Sequence, residues 1–193
     1  MYPNFGLVLM VNHACNLRCS YCYTGAKFSR AMPIEIARTS VNRALASLLP
    51  GGTLELSFFG GEPLLESALI EQVITYARDR SAENGFATSI GLTTNGTIDT
   101  PQAWRVMLDP EIDLTLSFDG LPQLHDRHRI DTEGLGSSAR VLATIKKLTA
   151  NAKQFQVIAV VRPDTVAELP ESLRYLRELG VDLVVPSIDL WTT

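Results

Sequence analysis

The chain has 193 residues, of which 20% are charged, and its formal net charge is −4. This length is typical of one domain, residues 1–193, and is enough to bury a hydrophobic core. The acidic balance lacks the basic surface by which proteins bind nucleic acid. No apolar run is long enough to span a bilayer, so we expect neither a nucleic acid nor a membrane partner.

The N-terminus and the cysteines indicate the cellular compartment. Met1-Tyr2-Pro3-Asn4 is not a basic segment followed by an apolar one, and it therefore predicts no signal peptide. Three cysteines cannot all pair within one chain, and reduced thiols are typical of the cytoplasm. We expect a cytoplasmic protein.

Hydrophobic patterns predict six strands separated by helices. The strands are predicted at residues 5–11, 53–59, 87–93, 112–117, 155–161 and 182–186. The helices are predicted after Pro33, with Ile36 and Leu48 on the apolar face, then at 66–82, 102–108 and 137–150, and around 169–179. Pro50-Gly51-Gly52 is predicted to end the first helix, and residues 118–136 are predicted to form a polar loop.

This alternation of strands and helices predicts an α/β fold with a parallel sheet. Six strands are too few to close an eight-stranded barrel, so the expected architecture is a partial (β/α)6 barrel. Functional sites of parallel α/β folds gather at the carboxyl ends of the strands. The segments Cys15–Cys22, Gly60–Glu62, Asn95 and Ser117–Asp119 are therefore predicted to surround one mouth.

All three cysteines lie in one short segment with the spacing C-x3-C-x2-C. Cys15, Cys19 and Cys22 follow the first predicted strand, and three thiolates on such a loop can bind an iron–sulfur cluster while one iron stays open. Zinc is an alternative, but it needs a fourth ligand, and His13 lies only two residues from Cys15. The spacing is also consistent with redox-active thiols or with cysteines that share no common role.

Three further polar segments follow predicted strands. Gly60 and Gly61 permit close approach to the backbone, and Glu62 offers a carboxylate to an ammonium group. Asn95 lies in a common turn sequence. Ser117 and Asp119 offer a hydroxyl and a carboxylate that suit ribose hydroxyls or a substrate proton. Each segment alone is equally consistent with an ordinary turn or a capping residue.

Taken together, these segments resemble the radical S-adenosylmethionine (SAM) enzymes. The cysteine loop with Tyr21 as its aromatic residue matches the C-x3-C-x-aromatic-C motif of that superfamily, and Gly60-Gly61-Glu62 matches the motif that contacts the amino group of SAM. The resemblance implies a [4Fe–4S] cluster held by the three cysteines, with SAM on the open iron. An external electron donor would drive reductive cleavage of SAM to methionine and a 5′-deoxyadenosyl radical, which abstracts a substrate hydrogen.

Several later motifs resemble one branch of this superfamily, the sulfatase-maturing enzymes and peptide maturases. These motifs are Cys15-Asn16-Leu17-Arg18-Cys19, Thr94-Asn95-Gly96, Ser117-Phe118-Asp119-Gly120 and His125-Asp126 followed by Arg129. The branch implies a peptide or protein side chain as the substrate. It also implies a C-terminal SPASM or twitch domain with auxiliary clusters. No further cysteines follow Cys22, so the sequence predicts that this extension is absent or truncated.

The resemblance also implies roles for individual residues. Tyr21 packs near the adenine, Ser117 lies near the ribose or carboxylate end of SAM, and Arg129 pairs with the carboxylate of SAM. Asp119 lies on the substrate side. The alternatives to a peptide-modifying enzyme are a radical SAM enzyme acting on a small molecule, a non-catalytic cluster- or peptide-binding module, and a zinc-binding scaffold.

Overall fold

Six β-strands form one sheet, and every neighbouring pair is parallel. The computed structural model describes residues 1–189. The strands are β1 (Tyr2–Asn12), β2 (Leu48–Gly60), β3 (Ala87–Thr94), β4 (Ile112–Ser117), β5 (Phe155–Val161) and β6 (Leu183–Ile188). Their spatial order follows the chain, with β1 and β6 at the two edges. The sheet is therefore open, and the predicted α/β fold with a partial (β/α)6 barrel is confirmed.

Helices connect successive strands. They are α1 (Ile34–Ala46), α2 (Ser67–Glu83), α3 (Pro101–Leu108), α4 (Pro122–His128), α5 (Ser138–Ala150) and α6 (Leu169–Glu178). Short 3-10 turns at Pro63–Glu66 and Val166–Glu168 precede α2 and α6. Within residues 1–189, no helix is long and apolar enough to cross a membrane.

The hydrophobic core lies between the helices and one face of the sheet. Along β2, Leu54, Leu56 and Phe58 are buried, as the alternation of side chains in a strand requires. The intervening side chains face the other side of the sheet, where Val8 of β1 is 66% exposed. The sheet thus keeps one accessible face, and the site develops where that face meets the carboxyl ends of the strands.

The start of β2 differs from the prediction. Pro50-Gly51-Gly52 does not end a helix but lies inside β2, where four residues (49–52) bulge out opposite Pro3 between the pairs Tyr2↔Leu48 and Asn4↔Thr53. Gly51 adopts a positive φ of 75° in this bulge, a backbone conformation that glycine takes without strain. Helix α1 ends at Ala46, and Leu48, predicted on its apolar face, is buried in the strand.

The predicted loop at 118–136 contains a helix. Helix α4 has seven residues and begins with Pro122 at its first turn. It buries only Leu124 and His125, so it is too short to produce a helical hydrophobic pattern in the sequence. Arg129, which lines the site described below, follows this helix directly at its C-terminus.

Candidate active site at the carboxyl ends of the strands

One cavity of about 310 Å³ lies at the carboxyl ends of the strands. All of the predicted site residues line it except Asp119: Cys15, Cys19, Tyr21, Cys22, Gly60, Gly61, Glu62, Asn95, Ser117 and Arg129. Phe59, Ile158 and Val160 contribute an apolar part of its wall. The topology therefore brings together segments that lie more than 100 residues apart in the chain.

The cysteine loop joins β1 to α1, and its three thiols are free and half-buried. Cys15 Sγ accepts a hydrogen bond from the Leu17 amide at 3.3 Å. Lys27 Nζ lies 2.9 Å from Cys22 Sγ and donates to it. Lys27 was not identified from the sequence, although a lysine five residues after a cysteine can indicate a cation close to the thiol.

The environment separates the acidities of the three thiols. Burial raises the pKa of Cys15, and it raises the pKa of Cys19 to about 11. Burial also acts on Cys22, but hydrogen bonds from Lys27 and Thr24 outweigh it and lower the pKa of that thiol. The protein therefore makes Cys22 the most acidic of the three thiols, and burial opposes ionisation at Cys15 and Cys19.

The two glycines after β2 lie against the backbone of the cysteine loop. The amides of Gly61 and Glu62 donate to Asn12 O at 2.9 Å and to Ala14 O at 2.8 Å. A Cβ atom on Gly60 would collide with the Asn12 carbonyl oxygen, and one on Gly61 would collide with the Ala14 carbonyl oxygen. These glycines therefore permit close contact with the protein's own backbone, and this contact holds the start of the cysteine loop against the end of β2.

Glu62 is completely buried at the junction of β2 and β3. Its Oε1 accepts from the Leu64 amide at 2.9 Å and from Thr94 Oγ1 at 2.7 Å, while Oε2 accepts from the Asn95 amide at 2.7 Å. Burial raises the pKa of Glu62 to about 7, although these hydrogen bonds act in the opposite direction. The carboxyl group of Glu62 is therefore buried among neutral donors, and no cation among the residues that the structure describes stabilises its ionised form.

Asn95 connects β3 to the cysteine loop through side-chain hydrogen bonds. Its Nδ2 donates to Asn16 Oδ1 at 2.9 Å, and its Oδ1 accepts from the amide of Thr97 at 2.9 Å. Asn16 Nδ2 in turn donates to Thr97 Oγ1 at 2.7 Å. Ser117, the last residue of β4, lines the cavity nearby.

Asp119 lies behind the cavity wall, and its carboxylate is fully engaged. Oδ1 and Oδ2 accept two parallel hydrogen bonds from Arg129, at 3.0 and 2.9 Å, and Oδ2 also accepts from the hydroxyl of Tyr21. Burial would raise the pKa of Asp119, but the Arg129 guanidinium outweighs it and holds that pKa below its usual range. A substrate-side role for Asp119 and SAM pairing by Arg129 stay predictions, and in this structure the two residues bind each other.

The donor set and the cavity fit an iron–sulfur cluster. Three thiols line the same cavity, and a cluster bound by three thiolates leaves one iron open to a ligand. Within residues 1–189, no three His, Cys, Asp or Glu side chains come close enough to surround a single metal ion. Cys15, Cys19 and Cys22 would be the protein ligands of a cluster.

Sequence comparison identifies relatives over nearly the whole chain. The chain is 29% identical over 178 residues to the serine-type anaerobic sulfatase-maturating enzyme of Klebsiella aerogenes, covering 90% of this chain and 44% of that enzyme. The chain spans about half the length of the curated relatives it matches.

Structural comparison agrees. The fold superposes with a TM-score of 0.87 on anSMEcpe with bound AdoMet and the Kp18Cys peptide, at 24% identity and covering 97% of this chain and 52% of that one. It superposes with a TM-score of 0.76 on Streptococcus suis SuiB bound to the precursor peptide SuiA, at 19% identity, covering 96% and 39%. The sequence profile described as "Radical SAM superfamily" matches residues 9–176. The chain therefore belongs to the radical SAM superfamily, whose enzymes use a [4Fe–4S] cluster and SAM.

Proposed function

We propose that this chain is the catalytic core, residues 1–193, of a radical SAM enzyme that abstracts a hydrogen atom from a peptide or protein side chain. The observation that carries the proposal is the single cavity shared by three free thiols, the buried Glu62 and Ser117. These groups come from the ends of different strands, and an arrangement of this kind positions a cofactor and a substrate together.

The chain's own residues divide the work in the cavity. Cys15, Cys19 and Cys22 hold the cluster, which when bound supplies the electron for reductive cleavage of SAM to a 5′-deoxyadenosyl radical. The electron comes from an external one-electron donor. The Lys27 ammonium, 2.9 Å from Cys22 Sγ, stabilises the thiolate form of that ligand.

Glu62 and its neighbours bind the polar end of SAM. A buried carboxylate held by neutral donors is stabilised by a cationic ligand, so Glu62 supports the site for the ammonium group. Ser117 provides a hydroxyl for the ribose or carboxylate end, and Asn95 fixes the loop beside the cavity. The apolar wall formed by Phe59, Ile158 and Val160 keeps water from the reacting atoms.

A peptide substrate is supported by the relatives. The Klebsiella protein is named for sulfatase maturation, and two of the structural neighbours were solved with peptides bound. The three free thiols are consistent with a reducing compartment, and we propose that the protein acts in the cytoplasm.

The test begins with anaerobic reconstitution of the protein with iron and sulfide. Reduction with dithionite in the presence of SAM is expected to produce 5′-deoxyadenosine, and Cys15→Ala, Cys19→Ala or Cys22→Ala is expected to abolish both the cluster spectrum and the product. If the reconstituted, reduced wild-type protein forms no 5′-deoxyadenosine, the enzyme assignment is wrong and the chain is a non-catalytic cluster-binding module. A protein that purifies with zinc and without iron would instead favour the zinc-binding scaffold.

The substrate class needs a separate measurement. A candidate peptide with deuterium at its side-chain carbons is expected to transfer deuterium to 5′-deoxyadenosine, which mass spectrometry detects. Transfer from a labelled small molecule, with none from peptides, would overturn the peptide assignment while leaving the radical SAM activity in place.

A further inference from the structure

We propose that Tyr21, Asp119 and Arg129 form a buried positioning network that holds the cysteine loop in its ligand-binding conformation. We call these three residues the loop-positioning network. The inference rests on the proposed function, because it concerns the site at which the cluster binds. It assigns positioning roles to residues that the sequence associated with the substrate and with SAM.

The network begins with an ion pair that water hardly reaches. The side chains of Arg129 and Asp119 are 8% and 7% exposed, and they meet through two parallel hydrogen bonds. Asp119 Oδ1 also accepts from the Val160 amide at 2.9 Å, which joins the end of β4 to β5. Such geometry fixes both side chains. If either one moves, a buried charge loses its hydrogen bonds and water does not replace them.

The segment that carries Arg129 also pairs with the cysteine loop. The Arg18 amide donates to Ile130 O at 2.6 Å, and the Ser20 amide donates to His128 O at 3.0 Å. Leu17 and Asp131 form an antiparallel bridge between the same two segments. Residues 128–131 therefore hold residues 17–20 of the cysteine loop in place.

A second set of hydrogen bonds holds the backbone of Arg129. The Asp119 amide donates to His125 Nδ1 at 3.3 Å, so Nε2 carries the imidazole proton and faces Ser137 Oγ at 2.8 Å. The Ser137 hydroxyl then donates to Arg129 O at 2.6 Å. Burial lowers the pKa of His125 to about 4, so the imidazole stays neutral and this pattern persists at neutral pH.

Tyr21 carries the restraint to the thiols themselves. It immediately precedes Cys22 and follows Cys19 by two residues, and its hydroxyl donates to Asp119 Oδ2. The guanidinium of Arg129 lies 5.2 Å from the centre of its ring, and that of Arg162 lies 5.7 Å away. A ring held by its hydroxyl and by two cations fixes the backbone between Cys19 and Cys22.

The test compares pairs of matched variants in the reconstituted protein. Tyr21→Phe removes only the hydroxyl. Tyr76→Phe is its control, because it removes a hydroxyl that donates to Asn42 Oδ1 between helices α2 and α1, away from the cavity. Asp119→Asn removes the buried charge, and Asp109→Asn is its control at the opposite end of β4, where Asp109 pairs with Arg78. Two readouts are followed: the rate at which a chelator removes iron, and hydrogen exchange of the Arg18 and Ser20 amides in the protein before iron is added.

Tyr21→Phe and Asp119→Asn are expected to accelerate iron release and amide exchange by about tenfold or more, because each removes a hydrogen bond to a charged group. The control variants are expected to match the wild type in both measurements. The proposal would be overturned if Tyr21→Phe and Tyr76→Phe released iron at the same rate. It would also be overturned if Tyr21→Phe left the exchange of the Arg18 and Ser20 amides unchanged. If Asp119→Asn does not fold, Tyr21→Phe decides. Amide exchange needs no cluster, so a protein that binds no iron would refute the proposed function without deciding this test.

Discussion

Two buried carboxylates on opposite sides of the cavity behave in opposite ways. Glu62 is held by two amides and a hydroxyl, and burial raises its pKa to about 7. Asp119 is held by the Arg129 guanidinium, which keeps its pKa below the usual range. The difference shows that burial alone does not define a role: one carboxylate still gains from a cation, whereas the other already has one.

The comparison implies a division of labour in the site. The side formed by β2 and β3 presents a negative group to which a cationic ligand can bind. The side formed by β4 and β5 uses its negative group to organise the protein, because four hydrogen bonds already occupy the carboxylate of Asp119. Substitutions on the two sides should therefore differ in their main effect, which is on ligand affinity on the first side and on stability on the second.

The largest expected effect is on stability, from Arg129→Met. This change leaves the Asp119 carboxylate buried without its cation, and we expect the free energy of unfolding to fall by about 3–5 kcal/mol. Urea denaturation followed by circular dichroism measures it. Arg78→Met is the matched control, since the Arg78–Asp109 pair is 31% and 22% exposed and should contribute about 1 kcal/mol or less. Equal losses in the two variants would show that Asp119 does not depend on Arg129.

Glu62→Gln tests the opposite side of the cavity. Removal of the negative charge is expected to weaken SAM binding by about 10- to 100-fold, which is the effect of losing a hydrogen bond to a charged group. Equilibrium dialysis with the reconstituted protein measures the affinity, and iron content should stay at the wild-type level. Glu66→Gln changes a neighbouring acid that accepts from Asn12 and should bind SAM normally. If both variants bind SAM as the wild type does, Glu62 only caps the turn at Pro63–Glu66.

The raised pKa of Glu62 also predicts how SAM binding varies with pH. The ammonium of SAM prefers the ionised carboxylate, so below pH 7 the free protein must lose a proton to bind it. Affinity should therefore rise with pH up to about 7, and it should fall again above about 8, where the amino group of SAM loses its own proton. The sign for stability is opposite: unfolded Glu62 ionises near 4.5, so the contribution of Glu62 to the free energy of unfolding without ligand should fall as pH rises from 4.5 to about 7. The lowered pKa of His125 contributes in the opposite direction, so the Glu62 contribution is measured as the difference between the wild type and Glu62→Gln. Glu62→Gln should remove the rise in affinity below pH 7 and the Glu62 contribution to the pH dependence of stability. A wild-type affinity that does not vary between pH 5 and 8 would contradict this interpretation.

The sequence predicted the parts of this site that depend on local order. Cys15, Cys19 and Cys22 lie within eight residues, and Gly60 to Glu62 directly follow a strand, so the parallel topology was sufficient to bring them together. The bulge around Gly51 was not predictable because Pro-Gly-Gly is equally typical of a turn. The predicted helix boundary at Leu48 failed for the same reason.

The partners of the buried side chains could not be predicted. Tyr21 and Asp119 are 98 residues apart, and no pattern in the sequence distinguishes an aspartate that faces a ligand from one that pairs with an arginine. Helix α4 was missed because two buried residues in seven produce no periodicity, and with it the contacts of His125 were missed. Pairing of this kind depends on three-dimensional packing, whereas the motif depends on spacing.

The smallest expected effect concerns a single hydroxyl beside Glu62. Thr94 is 1% exposed and donates to Glu62 Oε1 at 2.7 Å, so Thr94→Val keeps the shape of the side chain and removes one donor to the carboxylate. We expect the free energy of unfolding to fall by about 1 kcal/mol and the pKa of Glu62 to rise further, which should weaken SAM binding near pH 7. Thr144→Val is the matched control, because Thr144 is 5% exposed and donates instead to the Gly96 carbonyl oxygen at 2.7 Å. It should lose similar stability and bind SAM normally. If the two variants bind SAM equally well, the donors around Glu62 serve the fold alone, and the contrast between the two carboxylates would no longer identify the SAM-binding side.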